Sequence, residues 1–263
     1  MNLNFMKAAR SGNIRTSATS PFIWETQLSK SGETFGVSLI LMIAAAMRIG
    51  YLLHDPVLDR DAIYYLQICR DWNNVVNGDS RYSPIFLWLL HILYQLKVAP
   101  ETWGRGLNIC LGVGCVLWSY LCSRKLLISP VPALGIALLA ATQPAWVVSS
   151  CSLLKEPIGL FFFGASFYFF LIYIQNAGKA FIVLSGLCCS IAILCRYEMI
   201  TLAGGVAGYF LLKMCQNKAS WKQVTGEFLL FVLSIMAGVL LLFVLMGLPW
   251  LHYFYGIRWR FRW

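Results

Sequence analysis

The sequence has little charge for its length. Of its 263 residues, 12% are charged and 59% are hydrophobic. In soluble domains about a quarter of all residues are usually charged. A membrane span needs about 20 apolar residues, so the apolar runs leave a polar N-terminus, one loop of about fifty residues and short connectors. These 263 residues therefore have no room for a separate soluble catalytic domain. We expect any chemistry at the membrane surface or between the spans.

The chain also lacks the spacings that indicate a zinc site or a disulfide framework. Its nine cysteines include no CxxC pair, and its three histidines do not have ligand spacing. Most of the cysteines lie inside apolar runs, where cysteine behaves as a small hydrophobic residue. The sequence identifies no cofactor and no metal ligands, and a divalent metal has no support beyond the aspartates described below.

Positive charge exceeds negative charge, with a formal net charge of +10. In a soluble protein this balance would suggest a nucleic-acid partner. In a membrane protein it is typical of basic loops that stay in the cytoplasm and face anionic lipid. Because the charges of this chain are scattered over loops, we predict contacts with membrane lipids and no nucleic-acid partner.

The distribution of apolar runs predicts an all-α, polytopic membrane protein with about seven transmembrane helices. Residues 1–33 are polar and basic and lack the apolar core and cleavage site of a signal peptide. We predict a cytoplasmic basic tail over 1–33, a transmembrane domain over 34–250 and a basic-aromatic segment over 251–263. The membrane would be the plasma or inner membrane in a bacterium and the endoplasmic reticulum in a eukaryote. The apolar runs cover roughly 34–53, 104–122, 130–150, 157–175, 180–195, 199–212 and 228–250.

The short apolar segment 84–97 decides the predicted topology. Its 14 residues are too few for a comfortable span and fit an interfacial helix better. If the segment lies on the surface, the basic connectors join the basic N-terminus, and eight of the eleven acidic residues fall on the opposite side. If it spans instead, Arg124 and Lys125 join the acidic side. We therefore predict that 54–103 form an extracytoplasmic loop with surface helices.

The first part of this loop has a helical period of its own. Over 61–76, apolar residues recur at intervals of three and four, with Tyr65, Ile68 and Cys69 on one face. This pattern predicts an amphipathic helix lying flat at the interface. The sequence Asn77-Gly78-Asp79 ends it as a turn, and Ser83-Pro84 opens the next helix.

Two carboxylates, Asp59 and Asp61, follow shortly after the first predicted span. Neighbouring like charges repel, which can raise the pKa of one carboxylate and make it a general base. The alternative is that one aspartate only caps the surface helix. Capping needs a single aspartate, however, and does not explain the five between positions 55 and 79. We therefore favour a functional role for this pair.

The order of these elements resembles the first extracytoplasmic loop of the GT-C membrane glycosyltransferases. The relatives include protein O-mannosyltransferases, aminoarabinose transferases and RgtA-like sugar transferases, which use polyprenyl-phosphate sugars. In that class an aspartate follows the first span, a tyrosine comes four residues later, and a small residue, a proline and an aromatic residue open a second surface helix. Asp61, Tyr65 and Ser83-Pro84-Ile85-Phe86 match this pattern, although Ala62 stands where many relatives have a glutamate.

The resemblance extends along the chain to about residue 200. The next span of the class begins with an arginine and an asparagine, here Arg105 and Asn108. A later span begins with a glutamate after small polar residues, here Glu156, and an arginine closes another span, here Arg196.

This resemblance implies a glycosyltransferase that moves a sugar from a polyprenyl-phosphate donor to a hydroxyl of a lipid, glycan or protein acceptor on the extracytoplasmic side. Asp61 would be the general base and Asp59 its electrostatic neighbour. Apart from the resemblance, cationic side chains near the same face fit contacts with the lipid phosphate. Tyr65 and Tyr82 fit stacking on the sugar, the alternative being that the aromatic residues form a belt at the lipid headgroups. The predicted substrate-binding residues are Tyr65, Arg81, Tyr82, Arg105, Glu156 and Arg196.

Two other classes of protein remain open from the sequence. A transporter or flippase would also carry charged residues in a membrane domain, but such proteins often have two related halves, and no halves match here. An inactive membrane scaffold derived from a transferase is the second alternative. For Glu156 and Arg196, ordinary connector charges at the interface are the alternative to a binding role.

Overall fold

The computed structural model describes residues 28–54, 58–71, 83–127, 129–176, 178–216 and 220–247. Within these ranges the chain forms ten α-helices and one 3-10 turn and contains no strand, which confirms the predicted all-α class. The helices are α1 Lys30–His54, α2 Arg60–Ile68, α3 Pro84–Gln95, α4 Pro100–Leu126, α5 Pro130–Thr142, α6 Pro144–Cys151, α7 Glu156–Asn176, α8 Lys179–Cys195, α9 Ile200–Cys215 and α10 Trp221–Met246, with the 3-10 turn at Tyr197–Met199.

A helix lies over each of the apolar runs, but not every helix is long enough to be counted as a span. Among the described residues, five segments are long and apolar enough to cross a membrane: α1, α4, α7, α10 and Tyr197–Cys215, which contains α9. The bent pair α5 and α6 raises the number to six, and α8 is shorter, with 17 residues. The structure supports a polytopic membrane protein and does not confirm the predicted number of seven spans.

The run 130–150 is broken, which the sequence analysis did not predict. Helices α5 and α6 meet at an angle of 54°, and α6 begins at Pro144, whose ring removes a backbone donor and clashes with the preceding turn. Carbonyl groups freed inside a membrane must find other donors. Arg48, fully buried in α1, donates from Nη1 to the carbonyl of Ala141 at 3.3 Å and to that of Ala44 at 3.0 Å. This arginine therefore satisfies a carbonyl at the break.

The charged side chains gather at two opposite ends of the helical domain. At one end, which we call the basic end, Arg124 of α4 donates to Glu33 of α1 at 2.7 Å. At the same end Lys213 of α9 donates to Glu227 of α10 at 2.9 Å. The other end, which we call the site end, holds the start of α4, the connector before α7 and the connector after α8. Both ends contain ion pairs, and the location of acidic and basic connectors on opposite sides of the membrane stays a prediction.

We predict that the site end faces away from the cytoplasm and the basic end faces it, because basic connectors stay inside. Two single cysteines test this in a background without the native cysteines: Asp71→Cys, in an exposed position after α2, and Lys222→Cys, in an exposed position near the start of α10. In sealed membrane vesicles of known orientation, a membrane-impermeant thiol reagent should label the first only from the extracytoplasmic side and the second only from the cytoplasmic side. Labelling of both positions from the same side would contradict the topology.

The two loop helices pack on the site end. Ala62 and Tyr65 of α2 and Phe86 of α3 belong to one buried apolar cluster, and the ring of Tyr65 packs edge-on against Phe86 with centroids 5.2 Å apart. The inner face of α2 is the one that the apolar period predicted. Helix α2 ends at Ile68, earlier than the predicted end at 76, and residues 72–76 lie outside the described residues.

Candidate functional site

Asp59 and Asp61 have different positions at the start of α2. Asp59 is the N-cap residue, and its Oδ1 accepts a hydrogen bond from the backbone N–H of Arg60 at 2.6 Å. Asp61 lies in the first turn with its side chain exposed, where the positive end of the helix dipole favours a carboxylate. The capping role therefore belongs to Asp59, and Asp61 retains an accessible carboxylate.

Of the other substrate-binding residues predicted in the surface loop, only Tyr65 lies within the described residues. Tyr65 is only 2% exposed, so its ring lies against α3 in the apolar cluster. The ring of His91 on α3 adds a polar link, since its Nδ1 lies 2.7 Å from the carbonyl oxygen of Cys69 at the end of α2. Arg81 and Tyr82 lie outside the described residues.

Arg105 is buried near the start of α4. Its side chain is 6% exposed, and its Nη2 lies 3.6 Å from Oε1 of Glu101, one turn earlier on the same helix. Glu101 is about half exposed. The pair therefore brings a guanidinium beneath the surface at the site end and leaves the carboxylate near solvent.

Glu156 and Arg196 form an ion pair across two connectors. Nη1 of Arg196 lies 3.2 Å from Oε1 of Glu156, and Nε and Nη2 of Arg196 each lie 3.3 Å from an oxygen of Glu198. The side chain of Arg196 is 33% exposed and that of Glu156 is 24% exposed. Hydrogen bonding to Glu198, together with the charge of Glu156, raises the pKa of Arg196. The guanidinium is therefore a permanent cation held between two carboxylates.

The second oxygen of Glu156 has no partner in the part of the chain that the structure describes. Oε2 is buried and accepts no hydrogen bond from any described residue. A buried acceptor without a donor is costly. Of the two carboxylate oxygens of Glu156, Oε1 is therefore the one that pairs with Arg196.

Two buried polar side chains support the connectors that carry this ion pair. Asn108 of α4 donates from Nδ2 to the carbonyl oxygens of Ser152 and Leu154, both at 2.8 Å. The hydroxyl of Ser83 donates to the carbonyl oxygen of Leu194 at 3.2 Å. Sequence reasoning noted Asn108 within the resemblance and Ser83 as a helix start, but it assigned neither contact. The position of Asn108 among buried helical neighbours is a further sequence signal of a buried polar contact.

Helix α2, which bears Asp59 and Asp61, and the segments next to the Glu156–Arg196 ion pair contribute to the same apolar cluster. The apolar cluster at the site end joins α2 and α3 to the connector before α7, to α7 itself and to the end of α8. Leu153, from the connector before α7, and Leu194, from the last turn of α8, are 0% and 2% exposed within it. Because interiors pack closely and transmit displacement, movement of one connector displaces the others.

Over the described ranges, no three histidine, cysteine, aspartate or glutamate side chains gather as a metal site.

This polytopic helical architecture, with an amphipathic helix after the first apolar helix, is that of the GT-C membrane glycosyltransferases. The chain belongs to the dolichyl-phosphate-mannose-protein mannosyltransferase family, whose model matches residues 80–261. The match includes Glu156 and Arg196 and begins after Asp59 and Asp61. No individual curated protein matches the sequence.

The fold is similar to that of a solved family structure. The Saccharomyces cerevisiae protein O-mannosyltransferase Pmt1–Pmt2 complex bound to the sugar donor matches with a TM-score of 0.68 and 16% sequence identity. The match covers 91% of this chain and 35% of that chain. At this identity the similarity shows the fold, and the chain spans about a third of the length of the solved protein.

Proposed function

We propose that this chain transfers a sugar from a polyprenyl-phosphate donor to an acceptor hydroxyl at its site end. The family description favours mannose as the sugar, dolichyl phosphate as the carrier and a protein as the acceptor. The observation that carries the proposal is the Glu156–Arg196 ion pair, packed through one apolar cluster onto the helix that bears Asp61. This arrangement offers a cation for the phosphate and a carboxylate for the acceptor at one end of the domain.

The proposed reaction uses these groups in a single displacement. Asp61 accepts the proton of the acceptor hydroxyl, whose oxygen attacks the anomeric carbon of the sugar. The bond between that carbon and the phosphate oxygen breaks, and the lipid phosphate leaves with the electron pair. Arg196 stabilises the negative charge of the departing phosphate. Glu156 orients Arg196 through Oε1.

Transfer by the purified chain in lipid vesicles tests this proposal. The donor is dolichyl-phosphate mannose with a radiolabelled sugar, and the acceptor is a peptide that contains serine and threonine. We expect labelled peptide and free dolichyl phosphate in equal amounts, and less transfer from dolichyl-phosphate glucose. Binding of the donor without transfer to any acceptor would support the inactive scaffold instead. The absence of both donor binding and sugar transfer would contradict the proposal.

A further inference from the structure

We infer that Asn108 and Ser83 are positioning residues that hold Glu156 and Arg196 in register for the donor phosphate. The inference rests on the proposed function, because it assigns these two residues to the same phosphate site. Each donates a hydrogen bond to a backbone carbonyl just before one member of the ion pair. Neither residue is itself proposed to contact the donor.

Asn108 fixes the connector that leads into Glu156. It is fully buried in α4, and its amide group donates to the carbonyls of Ser152 and Leu154, at 2.8 Å each. These carbonyls belong to the turn between α6 and α7, and buried backbone groups of this kind need partners. One side chain thus binds both ends of a three-residue turn. Glu156 begins α7 two residues after Leu154, so the turn sets the position of its carboxylate.

Ser83 has the matching role for Arg196. Its side chain is almost fully buried, donates to the carbonyl of Leu194 at 3.2 Å and accepts from the backbone N–H of Phe86 at 3.4 Å. Leu194 lies in the last turn of α8, two residues before Arg196. A single hydroxyl therefore joins the start of surface helix α3 to the end of α8.

The ion pair cannot hold the two connectors by itself. Glu156 and Arg196 are a quarter and a third exposed, and ion pairs with solvent access contribute little to stability. The carbonyl oxygens of Leu154 and Leu194 would lose the donors that Asn108 and Ser83 provide, which is costly away from solvent, whereas the carbonyl of Ser152 also accepts from the backbone N–H of Leu154 at 2.9 Å. The contact of 3.2 Å between the two side chains is therefore a consequence of two connectors that Asn108 and Ser83 hold in place.

Donor binding by single variants provides the first test. Dolichyl-phosphate mannose is titrated against the full chain in detergent, and Asn108→Ala and Ser83→Ala should each raise Kd by about 3- to 30-fold, which lies within the range typical of coupled neighbours. Ser166→Ala is the matched control. Ser166 is equally buried and donates to the carbonyl of Ser185 at 2.7 Å, joining the same helices α7 and α8 away from the site end. Its Kd should equal that of the wild type.

A double-mutant cycle separates positioning from simple stabilisation of the fold. If Asn108 and Ser83 act through Arg196, each alanine variant should change Kd by less than about twofold in an Arg196→Ala background. Additive effects would overturn the inference. Wild-type affinity in folded Asn108→Ala and Ser83→Ala would also overturn it, provided that Arg196→Ala alone weakens binding.

The result for Arg196→Ala distinguishes failure of the proposed phosphate site from failure of the positioning role of Asn108 and Ser83. If Arg196→Ala binds the donor as the wild type does, the proposed phosphate site is wrong and the inference falls with it. If only the Asn108 and Ser83 results fail, the phosphate site stands. Thermal unfolding shows whether each variant folds, and Ser83→Ala, which removes a single oxygen, carries the test if Asn108→Ala does not fold.

Discussion

Asp61→Asn is expected to lower the rate of sugar transfer by about 10²–10⁴-fold, the usual cost of removing a general base. Asparagine keeps the shape of the side chain but cannot accept the proton of the acceptor hydroxyl. The carboxylate is exposed and is not the cap of its helix, so the substitution should change neither folding nor insertion. Initial rates at saturating dolichyl-phosphate mannose, with Kd for the donor measured separately, check this expectation.

Two aspartates on the same loop serve as controls for Asp61. Asp59→Asn keeps the N-cap and should cost less activity than Asp61→Asn, whereas Asp59→Ala should lower stability by about 1 kcal/mol. Asp71→Asn alters an exposed aspartate just beyond the end of α2 and should leave transfer unchanged. Near-normal transfer by Asp61→Asn would contradict the catalytic assignment and favour the scaffold or transporter alternatives.

The fold was predictable where burial follows a regular period. Each apolar run contains a helix, and the period of three and four in the surface loop identified Tyr65 and Cys69 as buried. The break at Pro144 was not predicted, because an apolar run with a proline is compatible with either a kinked or a continuous helix. Arg48, which donates to the carbonyl of Ala141 at the break, lies 93 residues away from it in the sequence. No local pattern indicates that contact.

The site was predictable only as a set of candidate residues. Glu156 and Arg196 were selected by residue type and order, but they lie 40 residues apart, and their contact depends on how two connectors cross. The links from Asn108 and Ser83 reach backbone carbonyls, which every residue possesses. The identity of the residue that supplies the carbonyl therefore gives no indication of such a contact. Whether a connector charge is paired, and what holds the pair, therefore required the structure.

Arg196→Ala is expected to weaken binding of dolichyl-phosphate mannose by about 10- to 150-fold. A hydrogen bond to a charged group contributes about 1.5–3 kcal/mol, and each 1.4 kcal/mol corresponds to about tenfold in Kd. Removal of the guanidinium also breaks its hydrogen bonds to Glu156 and Glu198, so less positive charge remains beside the phosphate. Equilibrium titration of the donor in detergent measures the effect. Arg196→Lys should fall between wild type and alanine, because lysine keeps the charge without the planar fork.

Arg124 provides a control of the same chemistry at the opposite end of the domain. Its side chain is 33% exposed, as is that of Arg196, and it is paired with Glu33 at 2.7 Å. Arg124→Ala removes an equally exposed ion-paired guanidinium from the basic end and should leave Kd for the donor unchanged. A general loss of attraction for an anionic lipid would instead weaken binding in both variants, and salt would screen it equally in both. If the two variants bind equally well, Arg196 is an ordinary connector charge, and the phosphate must be sought elsewhere at the site end.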